Sequence, residues 1–216
     1  MFLGHYGVAL AAKKIAPRVS LGTMILSAQF ADLLWPVFLL LGLEHVRIDP
    51  GNTVVTHLDF YDYPITHSLV GGLAWSVLFG VVYYLLRRYP RGAWVVGAGV
   101  ISHWVLDVIV HRPDLPLVPG GAVRVGLGLW NSLPATLVLE FGLLLLGLLV
   151  YTRATAPVDR TGRFALWALI GLLIVIYLAN LFGPPPPNPI VIAYAGLAGW
   201  LLVPWGYWID RHRRVA

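Results

Sequence analysis

The chain has 216 residues, 58% of them hydrophobic and only 12% charged, with a mean hydropathy of +0.77. Soluble domains carry about 25% charged residues, so a soluble fold is excluded. Cysteine is absent, which removes disulfides and thiolate ligands and leaves His, Asp and Glu as the strong metal-ligand types. The net charge of +5 does not point to nucleic acid, because the basic residues form short clusters between apolar runs, where they orient a membrane chain.

In chain order, the pattern predicts a short helix over about 3–16, followed by apolar spans near 19–43, 65–86, 92–111, 130–151, 164–183 and 189–209. Each approaches the roughly 20 residues that cross a bilayer. Breakers fall between them: Pro17, Asp49-Pro50-Gly51-Asn52, Tyr89-Pro90-Arg91, Pro113 to Gly121, Pro157 and the run Pro184 to Pro187. No basic n-region precedes the first apolar residues, so no cleavable leader is expected. The expected architecture is all-α: residues 1–216 form a single integral membrane domain, a polytopic helical bundle of about six spans plus a half-spanning N-terminal helix.

Lys and Arg in the short loops set the orientation. Twelve of the 15 basic residues lie at one end of this parse: Lys13, Lys14, Arg18, Arg87, Arg88, Arg91, Arg153, Arg160, Arg163, Arg211, Arg213 and Arg214. That end is expected to be cytoplasmic, both the N-terminal basic cluster and the C-terminus included, in a multi-pass protein of the cell (inner) membrane. The loops from Glu44 to Asp62 and from Arg112 to Arg124 then face outward.

Ionisable groups at membrane depth are costly, so each is a candidate for function. In Ile101-Ser102-His103-Trp104-Val105-Leu106-Asp107-Val108-Ile109-Val110-His111, three ligand-type residues recur at i, i+4 and i+8. At about 100° per residue they drift by some 80°, so one helix face carries all three. His67, in Thr66-His67-Ser68 at the outer start of the second span, stands at the same level as the outer end of the third. Asp32 lies inside the first full span, four residues before Pro36, which is positioned to bend the helix and make room for an ion. An unpartnered Asp there would be protonated or expelled, so a cation partner is the economical expectation. If 3–16 is a half-spanning helix anchored by Lys13 and Lys14, His5 rises about 12 Å above them, to the depth of Asp32. An interfacial His5 without a ligand role is the alternative. Glu140, the only glutamate within a span, is a ligand, a general base, or a neutral group bonded to Asn131 or Thr136. His45, Asp49, His57, Asp59, Asp62 and Asp114 fall in outer loops, where a solvated or structural role is the simpler reading, with His57, Asp59 and Asp62 held as reserves for the site. His212 belongs to the basic C-terminal anchor.

Taken together, Gly4-His5 followed by Ala9 to Lys14, Ala31-Asp32-Leu33, Thr66-His67-Ser68 and Ser102-His103-Trp104 with Asp107 resemble the membrane-bound metal-dependent hydrolases that include a LexA-regulated bacterial inner-membrane protein. The resemblance covers roughly the first half of the chain, with Glu140 a looser match. The order His, Asp, His, His-x-x-x-Asp, His, Glu is also similar to zinc-dependent phospholipases C and single-strand-specific nucleases, which bind three zinc ions and cleave phosphodiesters. That similarity implies one ion on Asp32, His67, His103 and Asp107, a second near His5 bridged by Asp107, and a third served by His111 and Glu140. The chain departs from that pattern by lacking the additional His that precedes the final Glu.

The expectation is therefore a membrane-embedded metal-dependent hydrolase holding one to three divalent ions, zinc first with manganese or iron as alternatives. Its substrate would be a phosphoester in a lipid or lipid-linked molecule, with Asp107 or Glu140 accepting the proton. A metal-ion transporter and a metal-stabilised structural membrane protein are the competing readings; oligomeric state is not legible. A reporter fused after Arg91 should be active only in the cytoplasm, and activity outside it would overturn the orientation.

Overall fold

Large apolar side chains cover the outside of the molecule: Val77, Leu86, Trp94, Val105, Val138, Val175 and Phe182 are each more than half exposed. On long helices such a surface suits acyl chains and not water. The computed structural model describes residues 1–216 as an all-α helical bundle. Five stretches are long and apolar enough to cross a membrane: α4 (Leu69–Arg87), α5 (Pro90–Val110), α6 (Leu133–Ala154), α7 (Arg160–Phe182) and the composite Pro189–Arg211, made of α8 (Pro189–Leu197), a 3-10 turn and α9 (Leu202–Arg211). A sixth is broken into α2 (Leu21–Ala28) and α3 (Phe30–Leu40), which meet at 57°. The predicted spans are thus all present as helices, and the predicted short N-terminal helix is α1 (Leu3–Ile15).

The bend in the broken span is not where the sequence suggested. Pro36 lies inside α3 with its ring against Gly196 of α8, and the chain turns instead at Gln29. The carbonyl of Ala28, the last residue of α2, is committed to a side chain of α5, His103, which accounts for the break at this point. Proline still has a local effect, because it has no N–H to give the Asp32 carbonyl one turn earlier.

Helix α1 has 13 residues, about 20 Å of rise, which is too short to cross a bilayer. It sits in the middle of the bundle against α2, α5, α6 and α7. Its polar residues are consequently buried: His5 is fully enclosed and Lys13 is 5% exposed. Lys13 Nζ lies 2.6 Å from Asp210 Oδ2 of α9 and donates to the Val19 carbonyl at 2.9 Å, while the same carboxylate oxygen accepts from Leu21 N at 2.9 Å. One buried ion pair thereby ties α1, α2 and α9 together at the end of the molecule that carries the basic clusters. Nearby, Asp159 caps α7; the Gly162 N–H bond at 2.8 Å and the His212 ring at 2.7 Å hold its carboxyl below the ordinary range.

Three short two-stranded sheets close the ends. Strands β1 (His45–Ile48) and β2 (Leu58–Asp62) pair antiparallel with Arg47 opposite Asp59, and β3 (Leu115–Pro116) pairs with β4 (Arg124–Val125) beside them. Arg112 bridges the two hairpins through Asp59 and Asp114. At the other end β5 (Thr155–Pro157) pairs with β6 (Arg213–Val215), which folds the C-terminal residues onto the α6–α7 turn.

Helix α1 packs closely on α6, where Gly7 faces Gly147 and the Leu143 carbonyl with no room for a Cβ on either glycine. Small residues at such positions let backbones approach and gain dispersion contact, the main attraction between helices in lipid. Gly147→Ala should lower stability by about 1–3 kcal/mol through overpacking. Gly142→Ala, on the same helix at a position where an added Cβ would meet nothing within 4 Å, should be neutral or slightly stabilising. Thermal unfolding of the detergent-purified variants checks this; equal midpoints would remove the close-contact account.

Candidate metal centre

Helix α5 supplies the centre of the site. His103 and Asp107, one turn apart on its buried face, are 2% and 1% exposed, with His103 Nε2 3.2 Å from Asp107 Oδ2. From α3, Asp32 Oδ1 approaches His103 Nε2 at 3.5 Å and His67 Nε2 at 3.5 Å. His67 Nε2 is also 3.8 Å from Asp107 Oδ2. From α1, His5 Nε2 reaches Asp107 Oδ1 at 3.2 Å, and its ring stacks on His103 at 3.8 Å between centroids. Asp107 Oδ1 further accepts from the Met1 amino group at 2.6 Å.

Local structure explains each placement. His67 directly precedes Ser68, whose hydroxyl caps α4 by accepting from Gly71 N at 3.0 Å, so the imidazole leaves the chain where the helix begins. Asp32 sits in the first turn of α3 because the chain restarts its helix at Phe30. A close fit between Gly99 of α5 and Ser27 of α2 brings the two backbones near enough for His103 Nδ1 to donate to the Ala28 carbonyl at 2.8 Å.

That bond decides what His103 offers. A carbonyl only accepts, so the hydrogen of the neutral ring is on Nδ1 and Nε2 carries a lone pair. This nitrogen is buried without a hydrogen-bond partner and is flanked by oxygens of two carboxylates. Acceptors converging in a largely enclosed site repel one another unless a proton or a metal cation joins them. Two donor sets satisfy the distances for one ion, Asp32 with His67 and His103, and His5 with His103 and Asp107, the atoms of each within 4.8 Å of one another. All donors are imidazole nitrogen or carboxylate oxygen, which suits zinc and neighbouring divalent transition metals. His103 has one free nitrogen and serves only one ion at a time. Asp107 can bridge, since its Oδ2 faces His103 and His67 while its Oδ1 faces His5.

The cluster is asymmetric in its exposure. Asp32 has a 38% exposed side chain, against 7% or less for His67, His103 and Asp107. A narrow crevice of about 10 Å³, room for one water, lies between α3, α4 and α5, walled by Phe30, Trp75 and Trp104, and ends on His67 and His103.

Two further residues expected at the site lie outside both donor sets. Glu140 spends its carboxylate on α1: Oε1 accepts from Phe2 N at 2.9 Å and Oε2 from Gly4 N at 2.8 Å. These N–H groups lie at the start of a helix, where no intrahelical acceptor exists, so a negative charge there is favoured twice, by the bonds and by the helix dipole. The geometry gives Glu140 a part in positioning α1, and it lies outside both donor sets; neither Asn131 nor Thr136 bonds to it. His111, where α5 ends, turns Nδ1 to Asp114 Oδ1 at 2.9 Å and packs on Trp130 at 4.2 Å, and it too lies outside the donor sets.

Among the loop residues, His45 pairs with Asp62 at 2.7 Å and His57 bonds the Pro50 carbonyl, so the reserves His57, Asp59 and Asp62 lie outside both donor sets. Asp59 and Asp114 are buried, each in a polar network with arginine, which a loop position alone did not suggest. Glu44 went unnoticed: it is 1% exposed and bonded to Thr66, beside His67. It carried no mark in the sequence, being one acidic residue at the start of a loop just beyond the first full span.

Comparison of the chain with known protein families, with characterised proteins and with solved structures finds no match.

The Glu140 geometry gives a direct test. Glu140→Ala should destabilise the protein by about 2–3 kcal/mol, the scale of bonds to a charged acceptor, whereas Glu140→Gln, which keeps one acceptor oxygen, should lose less than half of that. Thermal unfolding in detergent measures both, and an unchanged midpoint in the alanine variant would remove Glu140 from the docking of α1.

Proposed function

We propose that the chain is a membrane-embedded metal-dependent hydrolase, with a phosphoester of a lipid or lipid-linked molecule as its substrate. The observation that carries the reading is the unpartnered His103 Nε2 between the carboxylates of Asp32 and Asp107, with His67 completing the set. A bound divalent ion supplies a polarised phosphoryl oxygen and a water acidified toward neutral pH. His67, His103 and Asp107 are the enclosed residues that would hold and orient such an ion. Asp32 is the ligand with a face open to solvent or substrate, as a catalytic site requires and a closed structural site does not. Of the two proton acceptors anticipated, Asp107 belongs to a donor set, whereas Glu140 takes the N–H groups of α1. The apolar bundle that encloses the site favours a substrate with hydrocarbon chains arriving from the bilayer.

Within this proposal the membrane is the cell (inner) membrane, with the basic ends of the chain in the cytoplasm and the site toward the other face. The resemblance to membrane-bound metal-dependent hydrolases and the ligand order similar to phospholipases C belong to the same reading. The broken span favours a second one: a helix interrupted beside an ionisable residue is a feature of ion-transporting proteins, and Asp32 lies three residues after the break.

Elemental analysis of dialysed, detergent-purified protein separates these. Wild type should retain zinc, manganese or iron, and His103→Ala and Asp107→Ala should lose it. Retained metal together with release of phosphate or a phosphorylated head group from lipid substrates supports the hydrolase. Retained metal with ion flux into proteoliposomes and no hydrolysis supports transport. Absence of metal from the wild type, even after reloading, overturns both.

A further inference from the structure

Glu44 and Thr66 form a buried chain that ends on a candidate ligand. Glu44, the residue before β1, accepts from Ile65 N at 2.7 Å and Thr66 N at 2.8 Å through Oε1, and from the Thr66 hydroxyl at 2.7 Å through Oε2. The same hydroxyl oxygen is 2.6 Å from His67 Nδ1. Thr66 and Glu44 are 3% and 1% exposed, so no solvent competes for these bonds.

The hydrogens can be counted. A hydroxyl has one hydrogen, and a carboxylate only accepts, so the Thr66 hydrogen lies toward Glu44. The remaining bond must then run from His67 Nδ1–H to the Thr66 oxygen. A neutral ring protonated on Nδ1 carries its lone pair on Nε2, the atom 3.5 Å from Asp32 and 3.8 Å from Asp107.

We propose that Glu44 is a positioning residue that, through Thr66, holds His67 in the Nδ1–H tautomer required for Nε2 to bind a metal ion. The inference rests on the metal-centre reading above. Two routes then reach the same result by different means: a backbone carbonyl at the helix break orients His103, and a carboxylate at the outer hairpin orients His67. The cost of ordering Glu44 is met locally, since it also ties the Ile65–Thr66 backbone into place ahead of the α4 cap.

Substituting either member of the chain tests this. Thr66→Val removes the acceptor for Nδ1–H, and Thr66→Ser retains it. Glu44→Gln keeps the size but presents an amide N–H to the Thr66 oxygen, which turns the hydroxyl hydrogen toward His67 Nδ1 and favours the opposite tautomer. Zinc affinity of the detergent-purified full chain, measured by competition with a fluorescent chelator, should fall about 10–100-fold in Thr66→Val and Glu44→Gln and stay within a few-fold of wild type in Thr66→Ser. Nitrogen chemical shifts of His67 in the metal-free protein should report Nδ1–H in wild type and Nε2–H in Glu44→Gln.

Unchanged affinity in both weakened variants, or an Nε2–H tautomer in metal-free wild type, overturns the role of Glu44. Equal loss in Thr66→Ser and Thr66→Val assigns the effect to packing and overturns it as well. Failure of the wild type to bind zinc at all while His67 shows Nδ1–H is a distinct result: it removes the metal-centre reading, and the functional part of this inference with it.

Discussion

The hydrogen bond from His103 Nδ1 to the Ala28 carbonyl joins the two structural decisions on which the site depends. It uses a carbonyl at the end of an interrupted helix, and it turns the other nitrogen of the ring toward two carboxylates. In an apolar bundle such a carbonyl left without a donor would cost several kcal/mol, and so would a misdirected imidazole N–H. Each resolves the other. The broken span is therefore part of how α5 presents His103 and Asp107, and Asp32 enters the cluster because a new helix begins two residues before it.

Support for the site comes from three directions. Beneath it, α1 is held against α6 by facing glycines and anchored at its far end by Lys13 and Asp210. At its near end, the Glu140 carboxylate gathers the first N–H groups of the same helix and leaves His5 against Asp107. Above it, the β1–β2 and β3–β4 hairpins are locked by arginine–aspartate pairs, and Glu44 extends a carboxylate down to Thr66. Polar networks of this kind are costly when partly satisfied and rigid when complete, which is what a centre of converging acceptors needs around it.

Much of this was legible from composition and spacing. Long apolar runs separated by breakers defined the spans, because lipid leaves no other way to satisfy a crossing backbone. His5, Asp32, His67, His103 and Asp107 stood out as ionisable groups in or beside apolar stretches, and the structure brings those five together. Glu140 and His111 stood out by the same signal and serve different partners, a helix N-terminus and Asp114. Membrane depth marks a residue as needing a partner without saying which. Glu44 had no such mark, since a loop carboxylate is ordinarily solvated and only the fold of β1–β2 over Thr66 buries it.

The sequence by itself determined the helical class, the number and limits of the spans, and the small group of polar residues that the apolar bundle would have to accommodate. Those follow from local quantities, namely hydropathy over about 20 residues and the 3.6-residue period of a helix. Tertiary structure alone decided where the first span breaks, which nitrogen of each imidazole is free, and which of seven candidate residues share one centre. Each of these depends on a hydrogen bond between residues far apart in the chain, His103 with Ala28 or Glu140 with Gly4, and no local pattern encodes that pairing.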